Sequence, residues 1–316
     1  MQQKSGSVFT YILLMFSMLF WGTSYVFTTI VLESLDPISI ILYRLVISVV
    51  MLWIIIALFF RKEKMSFSTF KWIALLAFFE PFIYFIGETY GLQRVSPVVT
   101  SLVVATIPVF MAIVMRFFFQ AKLTWINFLG IFISLFGLVM MLVGKNMQID
   151  VDPIGILLLF IAVFSAVGYG IILNKLVANM HPVWIIATQN LFGIFYFLPL
   201  YFIMREAPVF DHASVITFLT PQAELWISIV ILSVFSSSLA FIFYSMSVRR
   251  IGIARSNVFT NIIPIFTAIT SFFLTGERLT TIKLIGIFIV IFGLVLTQRK
   301  REAAAELGLN KRKSRL

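Results

Sequence analysis

The sequence predicts an all-α integral membrane protein with ten transmembrane helices in two inverted five-helix repeats. Three observations predict this. The first is composition: a mean hydropathy of +1.06, with 61% hydrophobic and 12% charged residues in 316, leaves too little polar surface for a soluble domain of this length. The second is a series of ten apolar runs, each roughly 18–25 residues and so long enough to span a bilayer. The third is an internal repeat. Residues 107–139 begin IPVFMAIVMRFFF and end GIFISLFGLV; residues 263–295 begin IPIFTAITSFFLTGERLT and end GIFIVIFGLV. A shift of 156 positions makes 17 of these 33 residues identical, among them Pro108 on Pro264, Gly130 on Gly286 and Gly137 on Gly293. Membrane transporters are often built from two such halves, with the substrate site between them.

The runs fall at about 9–32, 38–60, 70–92, 97–119, 126–144, 153–174, 182–203, 224–248, 253–275 and 281–298. The first is too long for a signal peptide, lacks a small-residue cleavage pattern and is followed by nine more, so it reads as helix 1. The polar break KNMQIDVDP at 145–153 separates five helices from five. Residues 1–150 thus form the first repeat and 151–298 the second, while 299–316 form a basic tail, read as a frayed helix or disorder. The longest connector, 205–223, holds Pro208 and Pro221 and reads as an external loop.

Charge sets the orientation. Lys4, Arg61, Lys62, Lys64, Lys71, Lys122, Lys175, Arg249, Arg250, Arg255 and seven tail residues collect on one side. The other side has Arg94, Lys145, Arg205, Arg278 and Lys283 against eight acids: Glu33, Asp36, Asp150, Asp152, Glu206, Asp211, Glu224 and Glu277. The basic side is cytoplasmic by the positive-inside rule, so both termini are inside. The formal charge of +11 therefore points to anionic lipid headgroups, and no nucleic-acid partner is expected. Five helices per half is odd, so the second half enters from the opposite side.

Four charges lie within the spans: Arg44, Glu80, Glu88 and Arg116. Each is costly unless paired or wet. Arg116 falls at the inner end of helix 4, where it can snorkel. At 1.5 Å per residue, Arg44 and Glu88 lie about 10 and 8 Å below the outer ends of sequential helices, which makes them a candidate ion pair or outer gate. Arg44 is equally a candidate to bind a substrate carboxylate. Glu80 sits near the midplane of helix 3 with no basic residue expected at its depth. Pro81 follows it and should kink the helix, freeing a carbonyl near Ala77. A carboxylate whose charge is that costly is a candidate site for a cationic group or a proton.

Other polar groups at similar depth complete a candidate pocket: Trp21 and Tyr25 on helix 1, Tyr84 one turn after Glu80, Ser236 and Ser237 midway along helix 8, and Asn261 on helix 9. They must face the protein interior or a wet cavity, and each serves equally as interhelical glue. Gln189 on helix 7 corresponds to Arg44 across the repeat and lies near the inner end. The 36 Phe read as lipid-facing or packing residues. Gly130, Gly137, Gly286 and Gly293 suit close helix packing, and offer a homodimer contact through helices 5 and 10. Pro108 and Pro264 are the candidate bending points of helices 4 and 9.

The chain has no Cys and two His, so no Cys-ligated or His-rich metal site is expected. It has no G-x4-G-K-[ST] sequence for ATP hydrolysis. No cofactor is expected. A polytopic enzyme would need clustered His, Asp or Cys at a membrane face, and the two His fall on opposite sides.

WGTSYVF at Trp21–Phe27, Pro37 followed by Arg44, the Pro-aliphatic-Phe of helices 4 and 9, and GERLT at 276–280 before the Gly286/Gly293 helix occur in an order that resembles the EamA family of the drug/metabolite transporter superfamily. The resemblance covers about residues 9–298. It implies a ten-helix inverted-repeat carrier, often an exporter of amino acids, metabolites or drugs. Two departures stand out. The family often has Lys eight residues after the first-motif Trp, where this chain has Thr29, and the GERLT-type Glu277 is Ala121 in the first half. The reading is an alternating-access exporter of small metabolites at the cell (plasma or inner) membrane, with Glu80 as proton-coupling candidate. A carboxylate without a nearby Lys favours a cationic or zwitterionic substrate. The alternatives are an importer or an exchanger of nucleotide-sugar type, then a channel or sensor.

Overall fold

Helices form wherever this sequence runs apolar, because a chain in hydrocarbon must satisfy each backbone N–H and C=O within its own segment. The computed structural model describes residues 8–60, 63, 65–119, 125–142, 151–210, 214–216, 219–276 and 281–298. Among these, ten helical rods follow one another. They are α1 (Val8–Leu32), α2 (Pro37–Phe59), α3 (Phe67–Leu92), α4 (Pro97–Val104 and Ile107–Phe119) and α5 (Trp125–Leu142), then α6 (Pro153–Leu176), α7 (Pro182–Met204), α8 (Pro221–Ile251), α9 (Ile253–Ser256, Asn257–Ile262 and Ile263–Leu274) and α10 (Thr281–Gln298). Seven are long and apolar enough to cross a membrane, while α5, α9 and α10 carry shorter apolar stretches. The protein is thus an all-α, multi-pass membrane protein. Glu277 of the GERLT sequence and the tail 299–316 lie outside the described residues.

Helix starts are written locally. Asp36, Ser96, Asp152, His181 and Thr220 each cap a helix whose next residue is proline. The cap accepts a bond from an otherwise orphaned N–H, and proline at the first helical position has no N–H to orphan. Asp152 also meets Arg94 at 2.7 Å. That bond and the Ile154 N–H hold its carboxyl below the usual aspartate range.

Helix packing shows the repeat. α2 packs on α7, α4 on α9 and α5 on α10, so each of these meets its own counterpart. Further contacts come in exchanged pairs: α1 with α9 and α6 with α4, α1 with α8 and α6 with α3, α2 with α8 and α7 with α3. This is the pattern of a two-fold axis relating the halves. The helix breaks follow the same rule. α3 widens into a π turn at Phe78–Ile83 and α8 at Leu232–Ala240.

The kink in α3 falls at Glu80 and Pro81. Glu80 is extended (φ −145°, ψ 118°) and its peptide bond to Pro81 is cis. Two carbonyls on either side of Ala77, those of Ala74 and Phe79, take a side-chain donor besides the backbone N–H of Phe78 and of Tyr84. Ser165 Oγ of α6 donates to Phe79 O at 2.6 Å and the Tyr196 hydroxyl of α7 to Ala74 O at 3.1 Å. In α4 and α9 the break precedes the proline. α4 interrupts at Ala105–Thr106 and α9 tightens to a 3-10 turn at Asn257–Ile262, so Pro108 and Pro264 open the segments that follow.

Between apolar helices in lipid, close van der Waals approach does the work that burial does in water. The glycines of α5 and α10 supply it. A Cβ on Gly137 would stand 2.7 Å from Val290 N and 3.0 Å from Gly286 O. One on Gly293 would collide with Ser134 N and Gly130 O. The glycine faces of the two helices therefore close on each other within one chain. The outer faces carry the exposed Phe132, Phe136, Phe288 and Phe292. Gly137→Leu should force α5 from α10 at a cost of about 1–3 kcal/mol. It should lower the unfolding midpoint in detergent by several degrees, whereas Phe288→Leu, on the outer face, should leave it unchanged.

Candidate functional site

Arg44 enters the protein seven residues after the first residue of α2 and is 1% exposed. Three neighbours hold it. Its Nε donates to Ser237 Oγ at 2.9 Å, one Nη donates to Ser236 Oγ at 3.2 Å, and its Cζ lies 4.3 Å from the centre of the Phe85 ring. The other terminal nitrogen, Nη1, has no hydrogen-bond partner. The serines belong to the π turn of α8, whose wider winding brings successive side chains into contact with α2.

A second set of bonds fixes that turn. Ser238 Oγ donates to Ser233 O at 2.8 Å, a carbonyl five residues back that the π turn brings within reach. Its hydroxyl hydrogen thus committed, Ser238 accepts from Ser48 Oγ at 2.6 Å. Asn190 Nδ2 reaches Ser48 Oγ at 2.8 Å and Ser237 O at 2.9 Å. One relay therefore ties α7, α2 and α8 together beside the guanidinium.

Arg44 faces a cavity of about 60 Å³. α3 contributes Glu80, Tyr84, Phe85 and Glu88, on the face set by a spacing of four. α1 contributes Trp21, Ser24 and Tyr25, and the Tyr25 and Tyr84 hydroxyls lie 3.4 Å apart. Ser236 closes the wall beside Arg44. Tyr169 of α6, Tyr244 of α8, and Asn257 and Thr260 of α9 complete the polar lining. The Tyr244 hydroxyl donates to Asn257 Oδ1, and Trp21 packs against Phe241 and Tyr244 at ring separations of 5.1 and 5.2 Å.

Of the residues the sequence singles out, Trp21, Tyr25, Arg44, Glu80, Tyr84, Glu88 and Ser236 line this one cavity. Ser237 stands behind it, holding Arg44. Pro81 is buried against α7, where a Cβ on Gly193 would lie 2.5 Å from its ring. Asn261 is buried off the cavity, with both amide atoms unpartnered. The 3-10 turn winds tighter than an α-helix and presents Asn257 and Thr260 in its place.

Two electrostatic expectations change. Arg44 and Glu88 share the cavity without a direct ion pair, because the packing of α2 on α8 turns the guanidinium toward the serines; Glu88 Oε2 is unpartnered. Glu80 is not alone, since Glu88 and Arg44 both lie within its electrostatic reach. Arg116 is exposed in the last turn of α4. Sequence reasoning passed over Tyr169, Tyr244, Asn257 and Thr260. The signal for the tyrosines was available, since a buried Tyr hydroxyl needs a polar neighbour. Among the described residues no three His, Cys, Asp or Glu side chains gather as metal ligands. The chemistry on offer is the unpartnered Nη1 of a guanidinium for an anion and two carboxyl groups for a cation or a proton.

The model of the EamA-like transporter family matches residues 8–143 and 153–299. An uncharacterized transporter of Archaeoglobus fulgidus is 23% identical over 291 residues, covering 92% of this chain and 99% of that protein. The uncharacterized transporter YetK of Bacillus subtilis is 25% identical over 225 residues, 70% of this chain and 66% of YetK. A solved protein crystal structure shares the fold with a TM-score of 0.69 at 14% identity, over 93% of this chain and 99% of the other. These matches point to a membrane transporter rather than an enzyme, and the chain belongs to the EamA-like transporter family.

Proposed function

We propose that this chain is a secondary active transporter that exports small zwitterionic metabolites, amino acids or related compounds, across the cell (plasma or inner) membrane by alternating access. The observation that carries the reading is the cavity between the two halves, where Arg44, Glu80 and Glu88 lie together without a direct ion pair. A zwitterion complements that set: its carboxylate meets the free Nη1 of Arg44 and its ammonium meets the glutamates. The paired breaks in α3 and α8 and in α4 and α9 support the alternation, because broken helices at a repeat interface are where transporters bind and hinge. Both termini lie in the cytoplasm on the charge asymmetry of the loops.

Glu80 is the proton-coupling group in this reading. It is 6% exposed and sits on the extended residue that interrupts α3. Its charge is costly there unless a cation or a proton accompanies it. Substrate and proton then compete for one carboxyl group.

Cells expressing the chain should enrich a set of zwitterionic metabolites in the medium, and cells expressing Glu80→Gln at equal membrane levels should not. Equal enrichment by both would remove Glu80 from the mechanism; enrichment by neither would remove the exporter. Arg44→Lys keeps the charge but gives up the two serine bonds and the planar fork. It should raise the apparent KM for exported compounds by about 10–100-fold while the protein still reaches the membrane; an unchanged KM would sink the carboxylate contact.

A further inference from the structure

The two-fold axis pairs the interface of α1 and α9 with that of α6 and α4. Setting Pro37 on Pro182 puts Met15 on Phe160 and Leu19 on Phe164, and the shift that sets Pro108 on Pro264 puts Phe110 on Phe266. Between α4 and α6, Phe110 packs against Phe160 and Phe164 at ring separations of 5.9 and 4.9 Å, so aromatic rings fill the seam. Between α1 and α9, Phe266 shares the seam with Met15 and Leu19, and a groove of about 320 Å³ runs along it. α1 lines the groove with one helical face, at spacings of three and four residues from Val8 to Leu19. Those residues span about 16 Å, close to half the hydrocarbon thickness of a bilayer, so the groove has the depth of one leaflet.

Charge separates the two interfaces as well. Arg94 corresponds to Arg250 and Gly155 to Thr10. The contacts agree: a Cβ on Gly155 would stand 2.8 Å from Arg94 Cβ, and Arg250 Nη1 donates to Thr10 Oγ1 at 3.4 Å. Arg94 is neutralised by Asp152 at 2.7 Å. The residue corresponding to Asp152 is Ser7, which is uncharged. The Arg250 guanidinium lies 5.3 Å from the centre of the Phe9 ring, next in sequence to Val8 at the end of the groove, and among the described residues no carboxylate is bonded to it. Arg249 and Arg255 stand near it in sequence at the same ends of α8 and α9.

We propose that the groove between α1 and α9 is a binding site for an anionic phospholipid, with one acyl chain along Met15, Leu19 and Phe266 and the phosphate at Arg250. The groove supplies van der Waals contact, which an acyl chain of any phospholipid can make. Arg250 supplies the preference for a headgroup of net negative charge. Because α1 belongs to one half and α9 to the other, the lipid touches both halves at once.

The test is native mass spectrometry of the purified full chain in detergent, titrated with palmitoyl-oleoyl phosphatidylglycerol and with phosphatidylcholine of the same chains. Wild type should retain one phosphatidylglycerol and bind it about 5-fold more tightly than phosphatidylcholine, the effect of one arginine near a lipid headgroup. Arg250→Gln should bring the two affinities together, whereas Arg94→Gln, at the carboxylate-paired counterpart, should leave the preference in place. Met15→Phe with Leu19→Phe gives α1 the rings of α6 and should weaken both lipids by about 10-fold, as loss of contact for two methylenes predicts. Equal affinity of wild type for the two lipids, a preference that survives Arg250→Gln, or an equal loss of preference in Arg94→Gln would each overturn the site. Undiminished retention of both lipids in the double phenylalanine variant would place the acyl chain elsewhere and overturn it too. Met15→Phe alone carries that arm if the pair fails to fold. Lipid retention is read without transport, so its failure leaves the exporter reading untouched.

Discussion

The architecture turns on where one guanidinium is allowed to sit. Arg44 lies within the apolar span of α2, and an unpaired charge there is prohibitive. The cost is met by Ser236 and Ser237, by the face of Phe85 and by carboxyl groups within reach across the cavity. Those serines are in place only because α8 winds as a π turn. The turn in turn is held by the Asn190–Ser48–Ser238 relay. A single buried charge thus dictates the local winding of one helix and ties in two others.

The two halves share geometry but not chemistry. π turns in α3 and α8 fall at matching places, yet one carries Glu80 and Pro81 and the other a run of serines. α7 packs on the α3 break through Gly193 against Pro81 and through one hydrogen bond, from the Tyr196 hydroxyl to Ala74 O. α2 packs on the α8 break through hydrogen bonds. The α8 break is thus tied to α2 by more hydrogen bonds than the α3 break is to α7. The unequal breaks thus give α3 the acid Glu80 and α8 the serines that hold Arg44.

Much of this was legible in the sequence, for identifiable reasons. Helix positions were plain because a membrane span is long and apolar and because Asp36-Pro37, Ser96-Pro97 and Asp152-Pro153 mark the starts. Depth was legible too, since helical rise is fixed; this is why Arg44, Glu88 and Tyr84 fall around one cavity. Rotation about each helix axis was not legible. Depth arithmetic placed Arg44 opposite Glu88, whereas the contact of α2 with α8 turns it to Ser236 and Ser237. Asn261 was misplaced for a related reason: its regular helical position assumes 3.6 residues per turn, and the 3-10 segment shifts the face to Asn257 and Thr260. The glycines of α5 and α10 announced close packing, but a pattern of small residues does not say whether the partner is the same chain or another.

The central claim is that the cavity between the halves opens to each side of the membrane in turn. The absence of native Cys permits a direct measurement with one cysteine at Thr260, on the cavity wall. The protein would be reconstituted in vesicles of each orientation and treated with a membrane-impermeant thiol reagent. Alternating access predicts labelling from both sides, with labelling from either side slowed by saturating zwitterionic substrate, and no labelling of a cysteine at the lipid-facing Phe288. Labelling from one side alone, whatever the substrate, would contradict the account.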